Sequence, residues 1–299
     1  VRAERSRSAR EPFRRSGAGR HSRRPAGIRR ERRGAHGSRA LGCRIDRRRR
    51  MVHRLPGRRV LLAPGPPRGT TPPVRRVDHR VGGMNDTVAK RLREIDARIH
   101  ERTDRHVTVI AVTKAIGVDA VRAAVAAGCR DIGENYAQEL VDKMREYGED
   151  DRPTVHFIGR LQSNKVRMLA PVVDVWQSVD RASLIDEIAR RSPGARIFIQ
   201  VNATGEADKG GCDPALVPEL VASARAIGLR VEGLMVVGPT DGDRQRTVAA
   251  FATVAALARA VGVSELSMGM SDDLDLALDA GSTMVRVGSA IFGGRPPTR

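Results

Sequence analysis

From Val88 onward the apolar residues Val88, Leu92, Ile95 and Ile99 recur every three or four positions, the spacing of a helix with one buried face. Asn85 or Asp86 stands where its N-cap is expected. The period then changes. Residues 107–112 are almost continuously apolar, which reads as a strand covered on both faces, as in a parallel sheet. This alternation persists along the chain, with strands expected at 107–112, 130–133, 154–158, 173–177, 196–201, 231–236, 264–268 and 283–287 and helical patterns between them. One such helix starts near Asp213-Pro214, sets Leu216, Leu220, Ala224 and Ile227 on one face and stops at Gly228, with Pro218 distorting its first turn. Eight strands alternating with helices predict a single-domain α/β fold, a (β/α)8 TIM barrel with an extra N-terminal helix. An open doubly wound sheet is the alternative, but Thr113-Lys114-Ala115 stands where its Gly-rich fingerprint would follow the first strand.

Composition changes the picture ahead of Met84. Residues 1–83 hold 26 arginines, no lysine and five acidic residues, a charge of +21, which leaves −2 for the rest of a chain whose total is +19. The pI of about 11.3 therefore belongs to this leader, and net charge does not make the remainder a nucleic-acid binder. The leader cannot bury a core and is expected to be disordered. It reads in three ways: an arm whose arginines bind phosphate backbones, a transit peptide, or translated GC-rich DNA upstream of a start at Met84. The third best fits arginine without lysine and a chain that opens on Val. No apolar run reaches the roughly 18 residues that cross a bilayer. The three cysteines, Cys43, Cys129 and Cys212, are too scattered for a disulfide framework or a zinc site. The expectation is a soluble, cytoplasmic protein without a metal.

In a barrel the chemistry gathers at the C-terminal ends of the strands. There the sequence places Lys114, Glu134-Asn135, Gly159 to Lys165, Asn202, Gly269-Met270-Ser271 and Gly288-Ser289. Loops after strands 7 and 8 often bind phosphate, which Ser271 and the Gly288-Ser289 turn could do, although a Gly-Ser pair is also common in ordinary turns. Lys114 is one of five lysines after the leader, against 23 arginines. It either snorkels to solvent from a strand end or serves as a Schiff-base amine, a role closed to arginine. An amine facing a phosphate cup is the pair that pyridoxal 5′-phosphate (PLP) requires, since it carries one aldehyde and one phosphate.

Five collinear stretches sharpen this: Ala111-Val112-Thr113-Lys114, Gly133-Glu134-Asn135-Tyr136, the run from His156 to Lys165, the run from Met268 to Asp273, and the run from Gly281 to Gly293. With them the chain resembles, from about residue 87 to 294, the pyridoxal phosphate homeostasis protein family, relatives of the alanine racemase N-terminal barrel. The resemblance implies that Lys114 forms the internal aldimine, that Ser271 and the backbone amides of Gly288 and Ser289 hold the phosphate, that Arg286 faces the pyridine nitrogen, and that Asn135 and Met270 line the cofactor. A charged Arg286 there disfavours ring protonation and weakens the ring as an electron sink, which suits holding the cofactor. Thr113 and Ser289 are hydroxyl-preserving departures, Val237-Gly238-Pro239 is a little unlike the usual loop, and the leader has no counterpart.

The resemblance implies a protein that buffers or delivers PLP, with apo-PLP enzymes as recipients, no catalytic residues of its own, and a monomeric or weakly dimeric state. The rival is an amino-acid racemase of the alanine racemase type, whose second acid/base group is a tyrosine from an added domain; here only Tyr136 and Tyr147 occur. A nucleic-acid module using the leader is a third class. His156 reads as a packed or hydrogen-bonded histidine, Trp176 as core or rim, and Asp272-Asp273-Leu274-Asp275 as carboxylates complementing a helix dipole. Lys209 could be a second cofactor contact or a solvated charge.

Overall fold

The computed structural model describes residues 79–294. The expectations for the leader lie outside the described residues except at 79–83, where a helix stands in place of the expected disorder. Helix α1 runs His79–His100, so the expected boundary at Met84 falls within it, and Asn85 and Asp86 sit inside the helix instead of capping it. Gly82 and Gly83 cost a helix about 1 kcal/mol each without forbidding it, and the Thr87 hydroxyl donates back to the Gly83 carbonyl at 2.8 Å.

The order then continues β1 (Thr108–Val112), α2 (Val118–Ala126), β2 (Asp131–Glu134), α3 (Ala137–Tyr147), β3 (Thr154–Phe157), α4 (Ser163–Leu169), β4 (Val175–Val179), α5 (Ala182–Arg191), β5 (Arg196–Val201), a 3-10 turn (Pro214–Leu216), α6 (Val217–Ala226), β6 (Arg230–Val236), α7 (Arg244–Val261), β7 (Glu265–Ser267), α8 (Leu274–Asp279), β8 (Met284–Val287) and α9 (Ser289–Phe292). All eight strands are parallel and close in chain order, with β8 paired to β1 from Thr108 opposite Met284 to Ala111 opposite Val287. That closure makes the fold a (β/α)8 barrel and excludes the open sheet.

Two local expectations shift. The fourth strand starts at Val175, two residues later than its apolar run suggests. Val172 and Val173 belong to the turn after α4, where Val173 packs into the core, and Asp174 uses its carboxylate to accept the Val155 amide at 2.8 Å. At the sixth helix the 3-10 turn changes the phase, so the buried stripe is Val217, Leu220, Val221 and Ala224, while Leu216 and Ile227 are exposed.

Three layers of apolar packing result. Ile110, Val175, Phe198, Met235 and Met284 meet inside the barrel. Outside it, a large cluster including Phe157, Trp176, Leu184 and Phe251 joins strands to helices. The expected face of α1, Val88, Leu92, Ile95 and Ile99, is wholly buried against Ala111, Val285 and Val287 and against α2 and α8, so this helix covers the seam between β1 and β8. Each such side chain stabilises by about 1.5–3 kcal/mol. Arg98 and Arg102 add ion pairs to Asp275 at 2.8 and 3.2 Å.

Candidate functional site

Parallel strands leave alternate residues facing the barrel axis, and where β1, β2, β3, β6, β7 and β8 end, residues of the strands and the turns after them enclose a cavity of about 360 Å³. Lys114, Asn135, Met270, Ser271, Arg286, Gly288 and Ser289 all line it, so the seven positions singled out in the sequence come together in space. Ile116, Ile158, Met235 and Val237 supply its apolar wall. On one side the hydroxyls of Ser271 and Ser289 lie 3.1 Å apart. Gly288 allows close approach: a Cβ there would meet the Val112 carbonyl at 3.3 Å. The Met270 turn is fixed by its amide, which donates to Asp273 at 2.5 Å. The acidic run thus opens α8 as expected, with Asp275 in its first turn, and in addition Asp273 braces the loop and Asp275 pairs with α1.

Arg286 is buried, with Nη1 donating to the Ser267 carbonyl and hydroxyl at 2.6 and 2.7 Å and Nη2 to the Val236 carbonyl at 2.7 Å. Burial pushes its guanidinium down to about 10, with Asp273 acting in the opposite sense, so it stays charged at neutral pH. The chain of contacts goes deeper. The Ser267 hydroxyl donates to Gln177 at 2.7 Å, the Gln177 amide lies 2.9 Å from His156 Nδ1, and His156 Nε2 lies 2.9 Å from Asp131. His156 is therefore the buried, hydrogen-bonded histidine expected.

Sequence reading did not single out Gln177 and Ser267, which support the Arg286 guanidinium from below, or Glu139 on α3, whose carboxylate accepts the Ala115 amide next to Lys114. Gln177 and Ser267 are polar residues inside otherwise apolar strand runs, and that mismatch was the available signal. Glu139 had none, being one more acid in a helix rich in charged residues, although it lies part-buried one turn from Lys143. Trp176 is fully buried, as expected. Lys209 does not line the cavity; its ammonium donates to the Gly238 carbonyl and pairs with Glu206 at 3.2 Å, tying the loop after β5 to that after β6. A second cavity, of about 600 Å³, opens over the ends of β3 to β5 beside Arg160, Gln162, Asp180 and Arg181. No cluster of metal-ligating residues occurs among the described residues.

The family described as alanine racemase, N-terminal domain, matches residues 86–296. The pyridoxal phosphate homeostasis protein of Pseudomonas aeruginosa is 40% identical over 223 residues, covering 70% of this chain and 96% of the relative. That of Escherichia coli is 38% identical over 230 residues, covering 71% and 98%. The chain belongs to the pyridoxal phosphate homeostasis protein family. Among solved structures, PipY of Synechococcus elongatus with PLP bound matches with a TM-score of 0.61 and 34% identity over 69% of this chain and all of PipY. An alanine racemase from Corynebacterium glutamicum shares the fold alone, with a TM-score of 0.57 at 18% identity over 71% of this chain and 62% of the racemase.

Proposed function

We propose that this protein binds PLP, with Lys114 as its covalent anchor, and buffers or delivers the cofactor without turning over a substrate. One observation carries the reading: a single cavity brings the Lys114 side chain, the paired Ser271 and Ser289 hydroxyls and the Arg286 guanidinium together. Family membership supports the same role. The residues also fit the cofactor by an independent sign, since Asn135 Oδ1 is buried without a hydrogen-bond partner and borders that cavity.

Bound PLP would supply an aldehyde and an electron-accepting pyridine ring. The Lys114 amine would condense with that aldehyde, expelling one water, a step that needs the amine unprotonated. Ser271, Ser289 and the backbone at Gly288 would hold the phosphate. Arg286, its guanidinium fixed by Ser267 and Val236, would place a permanent charge at the ring nitrogen and keep a proton off it. Asn135 and Met270 would border the ring.

The carrier reading is favoured over the racemase by the relatives, homeostasis proteins at 38–40% identity against a racemase at 18%; of this chain's two tyrosines, Tyr136 is exposed and the Tyr147 hydroxyl donates to the Asp151 carbonyl. Cytoplasmic residence, delivery to apo-PLP enzymes and a monomeric or weakly dimeric state belong to the same proposal. Among the described residues no helix is long and apolar enough to cross a membrane. The test is the visible spectrum of purified protein with PLP, wild type beside Lys114→Ala, before and after borohydride. A visible band that reduction fixes to the Lys114 peptide, absent in the variant, is expected. A protein that stays colourless overturns the reading, and amino-acid racemisation that Lys114→Ala abolishes overturns its carrier part.

A further inference from the structure

Lys114 stands between two residues whose backbone is held from outside its own strand. Before it, Thr113 is fully buried; its hydroxyl donates to Glu134 Oε1 at 2.6 Å, and its carbonyl accepts from Lys143 Nζ at 2.7 Å. After it, Ala115 takes φ +60°, in the left-handed region that residues with a Cβ seldom occupy. The Ala115 amide donates to Glu139 Oε1 at 2.7 Å. That same oxygen accepts from Lys143 Nζ at 2.9 Å, and Lys143 also pairs with Glu134 Oε1. An ammonium has three protons, and Lys143 directs them to the Thr113 carbonyl, Glu134 and Glu139.

The placement is costly for a role in stability alone. Lys143 is 5% exposed and Glu134 0%, and a buried ion pair is often no more stabilising than apolar residues of the same volume. Burial pushes the Glu134 carboxyl up while Lys143 opposes the shift, and Glu134 Oε2 has no hydrogen-bond partner. What the cluster does achieve is geometric. Glu134 ends β2, Glu139 and Lys143 lie one turn apart on α3, and together they grip the residues on both sides of Lys114.

We infer that Glu134, Glu139 and Lys143 are positioning residues that hold the Thr113 to Ala115 turn, including the left-handed backbone of Ala115, so that Lys114 is set for an aldehyde before one arrives. The inference rests on the proposed anchor role of Lys114. Condensation needs the amine presented along a narrow approach, and fixing the backbone beforehand removes that ordering from the barrier.

The test uses the full chain and two ligands: PLP, followed by the rate at which its visible band appears, and pyridoxine 5′-phosphate, which has an alcohol in place of the aldehyde and reports binding without condensation. Glu139→Ala removes the acceptor for the Ala115 amide from a partly exposed side chain, so the fold should persist. Its PLP capture should slow by roughly tenfold, with pyridoxine 5′-phosphate affinity unchanged. Adding Ala115→Gly, which permits the positive φ without strain, should restore most of the rate. Unchanged capture in Glu139→Ala, equal weakening of both ligands, or no rescue by glycine would each overturn the inference. Failure of the wild type to capture PLP would instead overturn the anchor role, so the two failures are distinguishable.

Discussion

Ser271 and Ser289 come from the turns after β7 and β8, yet their hydroxyls meet at 3.1 Å. Two hydroxyls so close, with a glycine backbone beside them, suit a multivalent oxyanion better than either suits structure, because both are at the surface side of the cavity and neither plugs the core. A hydrogen bond to a charged group contributes about 1.5–3 kcal/mol. Ser271→Ala is therefore expected to weaken PLP binding by roughly ten- to a hundredfold while leaving the affinity for pyridoxal, which lacks the phosphate, unchanged. Titration calorimetry with both ligands checks this, and equal losses for the two would remove the serine from the phosphate site. At this scale the sequence was readable wherever a residue type is rare in its surroundings. Lys114 stood out as an amine among arginines, and the glycine and serine turns stood out by spacing. Gln177 and Ser267 were harder to see, since their meaning depends on facing inward next to Arg286, and inward or outward is settled by register across strands.

Among the elements, apolar runs announced the longer strands, the alternation with helices announced the short and half-polar β2 and β7, and the four-residue stripe of α1 announced its buried face. Errors arose where a neighbouring feature borrowed the signal: Val173 looks like strand but packs from a turn, and the 3-10 turn before α6 moves its stripe by one position. Loops carried less information, and Glu206 shows why. It lies on the loop after β5, and its carboxylate takes Lys209 of the same loop at 3.2 Å together with the Thr240 hydroxyl at 2.6 Å and Arg246 at 3.1 Å, both from segments far along the chain. The Thr240 hydroxyl, ahead of the Thr240 amide and Lys209, pulls its carboxyl down from 4.5 to about 2. A lowered pKa stabilises the fold above the ordinary value and ceases to do so as pH falls through the lowered one. Hence Glu206→Gln should lower the Tm at pH 7, and the difference should fade between about pH 4.5 and about pH 2. A gap in Tm that stays constant across that range would show that the carboxylate charge is irrelevant to the clamp.

For the whole molecule, the (β/α)8 architecture was legible in the regular alternation of buried runs and amphipathic stripes, whereas closure is a property of no single segment. It depends on β8 reaching β1, and on α1 lying across the join. The site straddles that join: Lys114 follows the first strand, and Arg286, Gly288 and Ser289 belong to the last and its turn. A chain ended at Gly281 keeps Lys114 but loses the opposite wall, and is expected to show no visible band and no borohydride-fixed label at Lys114 once unbound PLP has been removed. A visible band that borohydride fixes to Lys114 in that fragment would show that the first strands suffice.

The join between first and last strands also has a consequence in time. A ribosome releases β1 long before β8, so on the proposed anchor role of Lys114 a nascent chain carries that amine well before the opposite wall of the cavity exists. On that role, specific capture of PLP belongs to the finished chain, because the phosphate-side hydroxyl of Ser289 and the Arg286 guanidinium arrive last.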